Sequence, residues 1–261
     1  MSAGPKLELF RVYNDPRSLS AVANTITLSF AHDPLIRWLR PLVAPWARHD
    51  FETYRWQYRR VQRATVEGLV LQSTSVTQMG QMFPSKHPQS KHAEAVATEP
   101  DRDGKVDGDA GAVVMLFPPP SHLKWTPGRI FLACQLRLLD IFSPVSEKGT
   151  SEQRMERMMA AHNDAIDRVK KQYQLKNLWY LEVIAVHPSL QARGLGKKVM
   201  GCVLDYAKHE PIVLECTSES NISFYMSLGF EVVDEVELVD DDEAVRLWVM
   251  LRQTVNKDPA E

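Results

Sequence analysis

The sequence predicts a mixed α/β protein in which strands and helices alternate along a single chain. Short apolar runs rich in Val, Ile and Leu recur as expected of buried strands, and longer stretches between them carry apolar residues at helical spacing. The chain has 261 residues, which is long for one domain of ~100–200 residues and short for two independent ones. We therefore expect residues 1–261 to form a single domain with insertions.

The first half of the chain gives a definite order of elements. Asp15-Pro16 marks a helix start, because an aspartate before a proline suits the first turn of a helix. A region rich in Trp and Pro follows that helix and is expected to be irregular. The predicted elements are a strand over Leu7 to Tyr13, a helix to about Phe30, an irregular region over His32 to Pro45, a helix over Phe51 to Val66, and strands over Leu69 to Val76 and Ala112 to Phe117.

A polar segment separates the last two of these strands. Residues 78–111 contain few large apolar side chains and far exceed the ~12–15 residues of an ordered loop. We expect a flexible insertion at 78–111. The tail at 253–261 is likewise expected to be loose.

Two helices are predicted in the middle of the chain. The first spans Gly128 to Phe142, and its apolar part from Ile130 to Phe142 is expected to be largely buried. The second spans Ser151 to Tyr173 and carries His162 on a methionine-rich face. A single histidine on an apolar helix face is more often a core residue than a catalytic one. A final strand is expected over Ala244 to Leu251.

Composition restricts the classes of partner. The net charge of −2 provides no overall basic field to attract nucleic acid or anionic membranes, so neither is expected as a partner. The first residues lack the long apolar core expected of a signal peptide, and no segment approaches the ~20 apolar residues of a membrane helix. Cys134, Cys202 and Cys216 lie on apolar segments, as expected of reduced, buried thiols. We expect a cytoplasmic monomer or homodimer.

The stretch from Leu181 to Met200 joins a strand to a helix through a glycine-bearing turn. Pro188 ends the apolar strand, and helical spacing begins at Gly194. A helix start carries unpaired N–H groups and partial positive charge, and glycine lets an anion approach the backbone closely. This stretch therefore predicts a phosphate-binding turn.

Spacing excludes the two common nucleotide motifs. A dinucleotide fingerprint would need glycine at position 199, which is Val199. A P-loop would need glycine at position 191 and Ser or Thr at position 198, which are Gln191 and Lys198. The motif that remains is Q-x-x-G-x-G.

That motif, together with the block N-x-x-x-Y-x-x-x-G-F at Asn221 to Phe230, resembles the GCN5-related N-acetyltransferase (GNAT) superfamily. More loosely, the whole chain is similar to its fungal and puromycin-acetyltransferase-like members. The resemblance implies a central mixed, mostly antiparallel sheet of about six to seven strands with a splayed β4/β5 pair, flanked by helices. It implies acetyl-CoA as cosubstrate and no metal.

The resemblance also implies which residues hold acetyl-CoA. Turn amides from Ala192 to Lys197 would bind the pyrophosphate, and the fourth strand would pair with pantetheine and polarise the carbonyl. Asn221 would contact the cofactor or cap its helix, and Arg193 would reach the 3′-phosphate or adenine, or simply be exposed. The expected cofactor-binding residues are Ile184, Ala185, Val186, Gln191, Ala192, Arg193, Gly194, Leu195, Gly196, Lys197, Asn221 and Tyr225.

Catalysis must deal with two protons. An amine of pKa ~10.4 is almost entirely protonated at neutral pH, and forming its nucleophilic, unprotonated state costs about 4–5 kcal/mol. A base must therefore remove a proton. By resemblance, Tyr225 would be the general acid that protonates the departing thiolate, and Glu182 is a possible base. His162 and His187 are further candidates, as are chains of ordered water.

The resemblance implies an acceptor site opposite the cofactor, which in this chain would be at Phe30, His32, Asp33, Trp38 and Trp46. An aromatic pocket would favour a hydrophobic amine, whereas an acidic pocket built from Asp33 or Glu215 would favour a polyamine or aminoglycoside. The predicted function is acetyl transfer to the amine of a small molecule by direct attack in a ternary complex. The alternatives are a CoA-binding sensor or interaction module, and a protein-lysine or N-terminal acetyltransferase.

Overall fold

The computed structural model describes residues 5–41, 51–85, 108–142, 149–208 and 210–253. Within them seven strands form one mixed sheet in the order β1-β2-β3-β4-β5-β7-β6, in which β4 and β5 are parallel and every other pair is antiparallel. The predicted fold class is therefore confirmed. The strands are β1 (Phe10–Arg11), β2 (Leu69–Gln72), β3 (Ala112–Phe117), β4 (Trp179–Val186), β5 (Ile212–Cys216), β6 (Glu231–Asp240) and β7 (Glu243–Arg252).

Helices cover both faces of this sheet. The helices in the described ranges are α1 (Pro16–Ser29), α2 (Pro34–Leu39), α3 (Phe51–Glu67), α4 (Val76–Met82), α5 (Pro127–Phe142), α6 (Glu152–Gln172), α7 (Leu195–Tyr206) and α8 (Ile222–Met226). On one face α1 and α3 pack against β2, β3 and β4, and on the other α7 packs against the same strands. Helices α2 and α6 pack on β6 and β7.

Side-chain caps fix the starts of several helices. Asp15 accepts a hydrogen bond from the Ser18 amide at 2.9 Å, and Ser151 accepts one from the Arg154 amide at 3.3 Å. Both starts agree with the sequence prediction, because a short polar side chain satisfies an amide that has no intrahelical partner.

Two predicted boundaries are wrong for the same reason. Asp33 caps α2, with Pro34 at its first position, so a helix occupies part of the region expected to be irregular. Ser75 caps α4, so β2 ends at Gln72 and the first residues of the expected insertion are helical. Residues 86–107 of that insertion and 254–261 of the tail lie outside the described residues.

Helix α5 differs most from its prediction. The sequence predicted a largely buried helix, yet Leu136 is the one described residue of α5 that is buried. Cys134 is exposed as well, whereas Cys202 is half-buried and Cys216 is buried. The helix is apolar on its outward face too. In the described ranges no helix combines the length and apolar character that crossing a membrane requires.

The middle of the sheet opens between β4 and β5. Trp179, Tyr180 and Leu181 pair with Ile212, Val213 and Leu214, and the ladder ends there. Strand β4 continues to Val186 alongside β3, while β5 continues to Cys216 alongside β7. The two parallel strands therefore splay apart, as the GNAT resemblance implied.

A β-bulge interrupts β4 at the start of this opening. Met115 pairs with Val183 and Leu116 pairs with Leu181, so the register passes over Glu182. An extra residue in one strand bends that strand and redirects its side chain. The bulge therefore changes the alternation of β4 at the point where its ladder with β5 has ended.

Candidate active site

A cleft of about 1170 Å³ opens where β4 and β5 separate. Its floor is formed by the two strands, and its walls come from the end of α1 and from α2, α3 and α6. Ile184, Ala185 and Val186, which lie beyond the last β4–β5 pair, line it. A strand edge without a neighbour presents backbone N–H and C=O groups that an extended ligand can pair with.

The glycine turn lies at the start of α7. Gly194 is the N-cap residue and has φ of 74°. Apart from its neighbours along the chain, no heavy atom of the described residues lies within 4 Å of where a Cβ would stand. Ala192 also has a positive φ, of 60°. Gly196 lies against Phe224, whose ring would be 3.3 Å from an added Cβ. This backbone leaves open space in front of the first amides of α7, where an anion is favoured.

Side chains within this turn bind backbone carbonyls of the neighbouring segments. The Arg193 guanidinium donates to the Phe83 carbonyl at 3.1 Å and to the Ser189 carbonyl at 2.8 Å. Gln191 donates through Nε2 to the Val186 carbonyl at 3.0 Å. Both side chains thus hold the turn against α4 and the end of β4, and the Arg193 side chain is engaged with backbone. The side chain of Lys197 is exposed.

Tyr225 lines the cleft between β5 and α8. Its ring makes edge contacts with Phe224 and Phe230, at centroid distances of 5.1 and 5.9 Å. Burial raises the pKa of its phenol well above the usual value, and the nearby Cys216 and Asp33 add to that shift. The hydroxyl therefore keeps its proton at neutral pH. In the described part of the chain it has no hydrogen-bond partner.

Asn221 precedes α8 and also lines the cleft. Its side chain makes no capping hydrogen bond, so the capping role weighed from the sequence is wrong. The exposed amide leaves a cofactor contact as its remaining predicted role.

His162 and Glu215 form a pair on the cleft wall. Nδ1 of His162 lies 3.1 and 3.0 Å from the two carboxylate oxygens of Glu215, and the Tyr180 hydroxyl donates to Glu215 Oε2 at 3.0 Å. Burial alone would lower the pKa of His162, but the hydrogen bond and charge of Glu215 raise it above its usual value. Burial, followed by the charge of Glu215, raises the pKa of Tyr180 strongly. His162 is thus not a plain core residue.

Glu182 carries an ion pair of its own. Arg60, from α3, donates to Glu182 Oε1 from Nε at 2.9 Å and from Nη2 at 2.6 Å. Both side chains are about one-quarter exposed and line the cleft. The geometry therefore shows Glu182 holding the cationic side chain of Arg60, beside its predicted role as a possible base.

The acceptor residues predicted from the sequence divide into two groups. Phe30, His32 and Asp33 line the cleft. Burial raises the pKa of the Asp33 carboxyl, although hydrogen bonds from Thr217 and the Ile36 amide partly offset the rise. Trp38 requires a correction, because it is 5% exposed and packs against α6 and β7 beneath the Arg154 guanidinium instead of lining the cleft. The fifth candidate, position 46, lies outside the described residues.

His187 stands behind the turn. Its ring is buried, with Nε2 3.6 Å from a carboxylate oxygen of Asp109 and Nδ1 2.8 Å from the Ser189 hydroxyl. These contacts tie the end of β4 to the segment before β3. His187 lies outside the set of residues that line the cleft. No group of three or more His, Cys, Asp or Glu side chains in the described ranges is arranged to hold a metal ion.

Comparison with known proteins supports the architecture. Residues 166–230, about a quarter of the chain, match the sequence model of the Acetyltransferase (GNAT) family. That segment runs from the C-terminal part of α6 through β4 and the glycine turn to the end of α8, and so contains most of the splayed site.

Three solved structures share the fold over almost the entire chain. One, described as histone acetyltransferase HPA2 and related acetyltransferase from Corynebacterium glutamicum, has a TM-score of 0.53 at 16% identity and covers 96% of this chain and 97% of its own. The chain has the GNAT fold. An arylalkylamine N-acetyltransferase from Aedes aegypti gives a TM-score of 0.53 at 14% identity, covering 95% and 99%. A polyamine N-acetyltransferase from Drosophila melanogaster gives 0.51 at 13%, covering 94% and 100%.

The GNAT fold brings together residues that the sequence alone did not connect. Glu215 was considered only as an acidic wall, and Arg60 was not considered at all. His162 and Glu215 stand 53 positions apart. Their only sequence signal was indirect, a histidine on the inward face of a helix and a glutamate within an apolar strand.

Proposed function

We propose that the protein is an N-acetyltransferase that transfers an acetyl group from acetyl-CoA to the amine of a small molecule by direct attack in a ternary complex. The observation that carries the proposal is the splay between β4 and β5. It opens onto one cleft that contains Tyr225 and the His162–Glu215 pair and that reaches Gln191, at the start of the glycine turn. Two proton-transfer groups thus lie in one cleft beside a turn suited to an anion.

The residues of the turn fit a pyrophosphate. Gly194 leaves open space at a helix start, and its positive φ aims the chain so that the following amides face outward. The backbone from Ala192 to Lys197 would hold the pyrophosphate, and the free edge of β4 from Ile184 to Val186 would pair with pantetheine. Asn221 would contact the same ligand. When bound, acetyl-CoA supplies an acetyl group activated as a thioester.

Tyr225 is the proposed general acid. When the new C–N bond forms and the C–S bond breaks, the sulfur receives an electron pair and then a proton. A phenol whose pKa is raised by burial stays protonated at neutral pH and can donate to that sulfur. Its position in the cleft and its free hydroxyl support this role.

His162 is the proposed base in this geometry. Glu215 holds Nδ1, so Nε2 is the ring nitrogen left to accept the proton of the attacking amine. A neighbouring carboxylate that orients the imidazole and stabilises its charged form is the usual support of a histidine base. Glu182, the base proposed from the resemblance, remains the alternative, although Arg60 already holds its Oε1.

The acceptor half of the cleft combines acidic and apolar surface. Among the described residues, six carboxylates and three guanidinium groups line the cleft, so acidic side chains outnumber basic ones: Asp33, Glu67, Asp140, Glu152, Glu182 and Glu215 against Arg59, Arg60 and Arg63. Its apolar lining includes Leu35, Met155, Met158 and Phe117. Carboxylates attract a protonated amine, and the apolar side chains favour a hydrocarbon portion next to it. We therefore favour an amine joined to an apolar chain or ring as the acceptor.

The function is tested by ligand binding and thiol release on the full chain. Acetyl-CoA should raise the melting temperature, because a ligand that binds only native protein stabilises it. Free thiol should then appear when amines are added, with arylalkylamines, linear polyamines and agmatine as the first panel. Gly201→Ala is the matched control for Gly194→Ala, since both glycines lie at or in α7 and only Gly194 has a positive φ.

The outcomes separate the alternatives. A thermal shift without amine-dependent thiol release would indicate a CoA-binding sensor. The absence of a shift at saturating acetyl-CoA would contradict the proposal altogether. Release only with peptide lysines or N-termini would move the acceptor from small molecules to proteins.

A further inference from the structure

Helix α5 exposes a continuous apolar face. Phe131 and Phe142 are 72% and 80% exposed, and Ile130, Leu138 and Ile141 are 50%, 54% and 64% exposed. Cys134, also exposed, lies among them. At 3.6 residues per turn these six side chains fall within about 120° of one another around the helix axis. We call them the α5 stripe.

The spacing within the α5 stripe is that of a helix-pairing seam. Phe131, Cys134, Leu138 and Ile141 follow one another at steps of three, four and three residues. Apolar residues at alternating steps of three and four form the contact line between two packed helices. The spacing therefore indicates a helix as the occupant of this face.

The charges of α5 point elsewhere. Arg129 donates to the Gly68 carbonyl at 3.1 Å, and Asp140 accepts from Arg63 of α3 at 2.8 Å. Leu136, which lies between these two residues along the helix, is buried against the protein. Among the described residues of α5, Arg137 is the one charged side chain beside the stripe, and it flanks the seam without entering it.

We propose that the α5 stripe is covered by the α5 stripe of a second copy of this chain, in an antiparallel pair about a two-fold axis. A two-fold interface brings a surface patch against itself, so the patch must be self-complementary. An apolar seam without charges meets this condition, because no like charges are brought together. Helices that lie on lipid surfaces instead carry many Lys and Arg side chains beside their apolar face.

The area of the stripe suits such a pair. Taking ~200 Å² for a fully exposed aromatic ring, Phe131 and Phe142 alone expose about 300 Å². The three exposed aliphatic side chains bring the stripe to roughly the ~600–800 Å² that each partner contributes to a specific interface. Burial of this area would also remove a large exposed apolar patch, of a kind that monomeric proteins rarely expose.

The pairing places two residues near the two-fold axis. The midpoint of the seam along the helix axis falls at position 136, whose own side chain points inward. In an antiparallel pair centred at that height, Leu138 of one copy faces Cys134 of the other, and the two Leu138 side chains lie close together. A charge at position 138 would therefore meet its own copy across the axis. The sign of a charge introduced at position 138 should therefore decide whether two copies repel or attract each other.

Analytical ultracentrifugation of the full chain measures the oligomeric state. We expect the wild type to sediment as a dimer, and Leu138→Glu and Leu138→Lys each to sediment as monomers. An equimolar mixture of the two variants should form a heterodimer, because the opposite charges attract. Val239→Glu, which introduces the same charge at a 50%-exposed valine of β6, is the control and should remain dimeric. Circular dichroism establishes that the monomeric variants are folded.

A second test needs no destabilising change. A short bis-maleimide should cross-link wild-type protein into a covalent dimer through Cys134, and Cys134→Ser should abolish the product. A wild type that sediments as a monomer without cross-linking overturns the proposal. So does flotation of wild-type protein, but not of Leu138→Glu, with phosphatidylserine vesicles, since the occupant would then be a lipid surface.

Discussion

Both carboxylate oxygens of Glu215 lie within 3.1 Å of Nδ1 of His162. The contact joins the middle of α6 to β5, and both side chains are largely buried, at 18% and 10% exposure. A histidine buried without a partner would lose its charge easily. Glu215 reverses that tendency and raises the pKa of His162. The pair therefore sets the pH range in which Nε2 is free to accept a proton.

The first prediction concerns pH. If His162 is the base, kcat/KM should rise with pH as the imidazole loses its proton, with a midpoint above the usual histidine value of ~6.5. In Glu215→Gln the carboxylate charge is gone while burial remains, so the pKa of His162 falls and the acid limb should move to lower pH. Measured kcat/KM against pH gives the midpoint for each protein.

Glu156→Gln is the matched control for this experiment. Glu156 lies on α6 in an exposed position away from the cleft, so its variant should keep the wild-type midpoint. An acid limb that stays in place in Glu215→Gln would remove His162 from the base role and leave Glu182 as the candidate. In that case Glu182→Gln should lose the activity instead.

The second prediction concerns Tyr225. Tyr225→Phe removes one hydroxyl and keeps the ring that packs against Phe224 and Phe230, so folding and acetyl-CoA binding should be unchanged. Turnover should fall by about 10²-fold or more, which is the usual contribution of a positioned acid. Steady-state kcat and a thermal shift with acetyl-CoA test the two halves separately. Tyr206→Phe, at an exposed tyrosine of α7, is the control, and equal kcat in both variants would contradict the acid role.

The third prediction concerns the glycine turn. Gly194→Ala forces a side chain into the left-handed region and should lower the free energy of unfolding by ~1–2 kcal/mol. It should also raise the Kd for acetyl-CoA. Gly201→Ala, inside α7 with open space around the added methyl group, should stabilise the protein by ~0.5–1 kcal/mol and leave that Kd unchanged. Urea unfolding and calorimetric titration measure the two quantities, and identical behaviour of the two variants would be inconsistent with the turn geometry.

The fourth prediction concerns the β6–β7 hairpin. Arg154 is buried and donates to Asp240 at 2.7 Å, to Glu243 at 2.6 Å and to the Trp38 carbonyl at 2.7 Å. Arg154→Met would remove all three of these hydrogen bonds, but Arg157 would still pair with Asp240 at 2.7 Å. The free energy of unfolding should therefore fall by ~1.5–3 kcal/mol, the range for hydrogen bonds to charged groups. Arg246→Met, in exposed ion pairs of the same hairpin, should change it by less than ~1 kcal/mol. Comparable losses in chemical denaturation would show that burial does not decide the effect.

Local chemistry explains what the sequence predicted well. Asp15 and Ser151 start helices because their side chains satisfy nearby amides, and Gly194 starts α7 because the chain needs a positive φ there. These requirements are met within a few residues. The starts of α2 and α4 were missed, although Asp33 and Ser75 carry the same signal, because surrounding Trp, Pro and polar residues suggested irregular chain.

Longer-range relations were beyond prediction. The register of β3 against β4 passes over Glu182, and this bulge depends on both strands. The outward face of α5 was expected to be buried, because periodicity identifies which residues are apolar but not whether another element covers them.

The sequence by itself determined the α/β class, most elements and the glycine turn, since each depends on neighbours along the chain. Tertiary structure alone decided that Arg60 holds Glu182 and that Glu215 holds His162. It also decided that Trp38 is buried in the core and does not line the cleft. The reason is that an ion pair or a buried contact depends on distance in space. Residues 53 positions apart, such as His162 and Glu215, acquire that distance only when the sheet and α6 pack together.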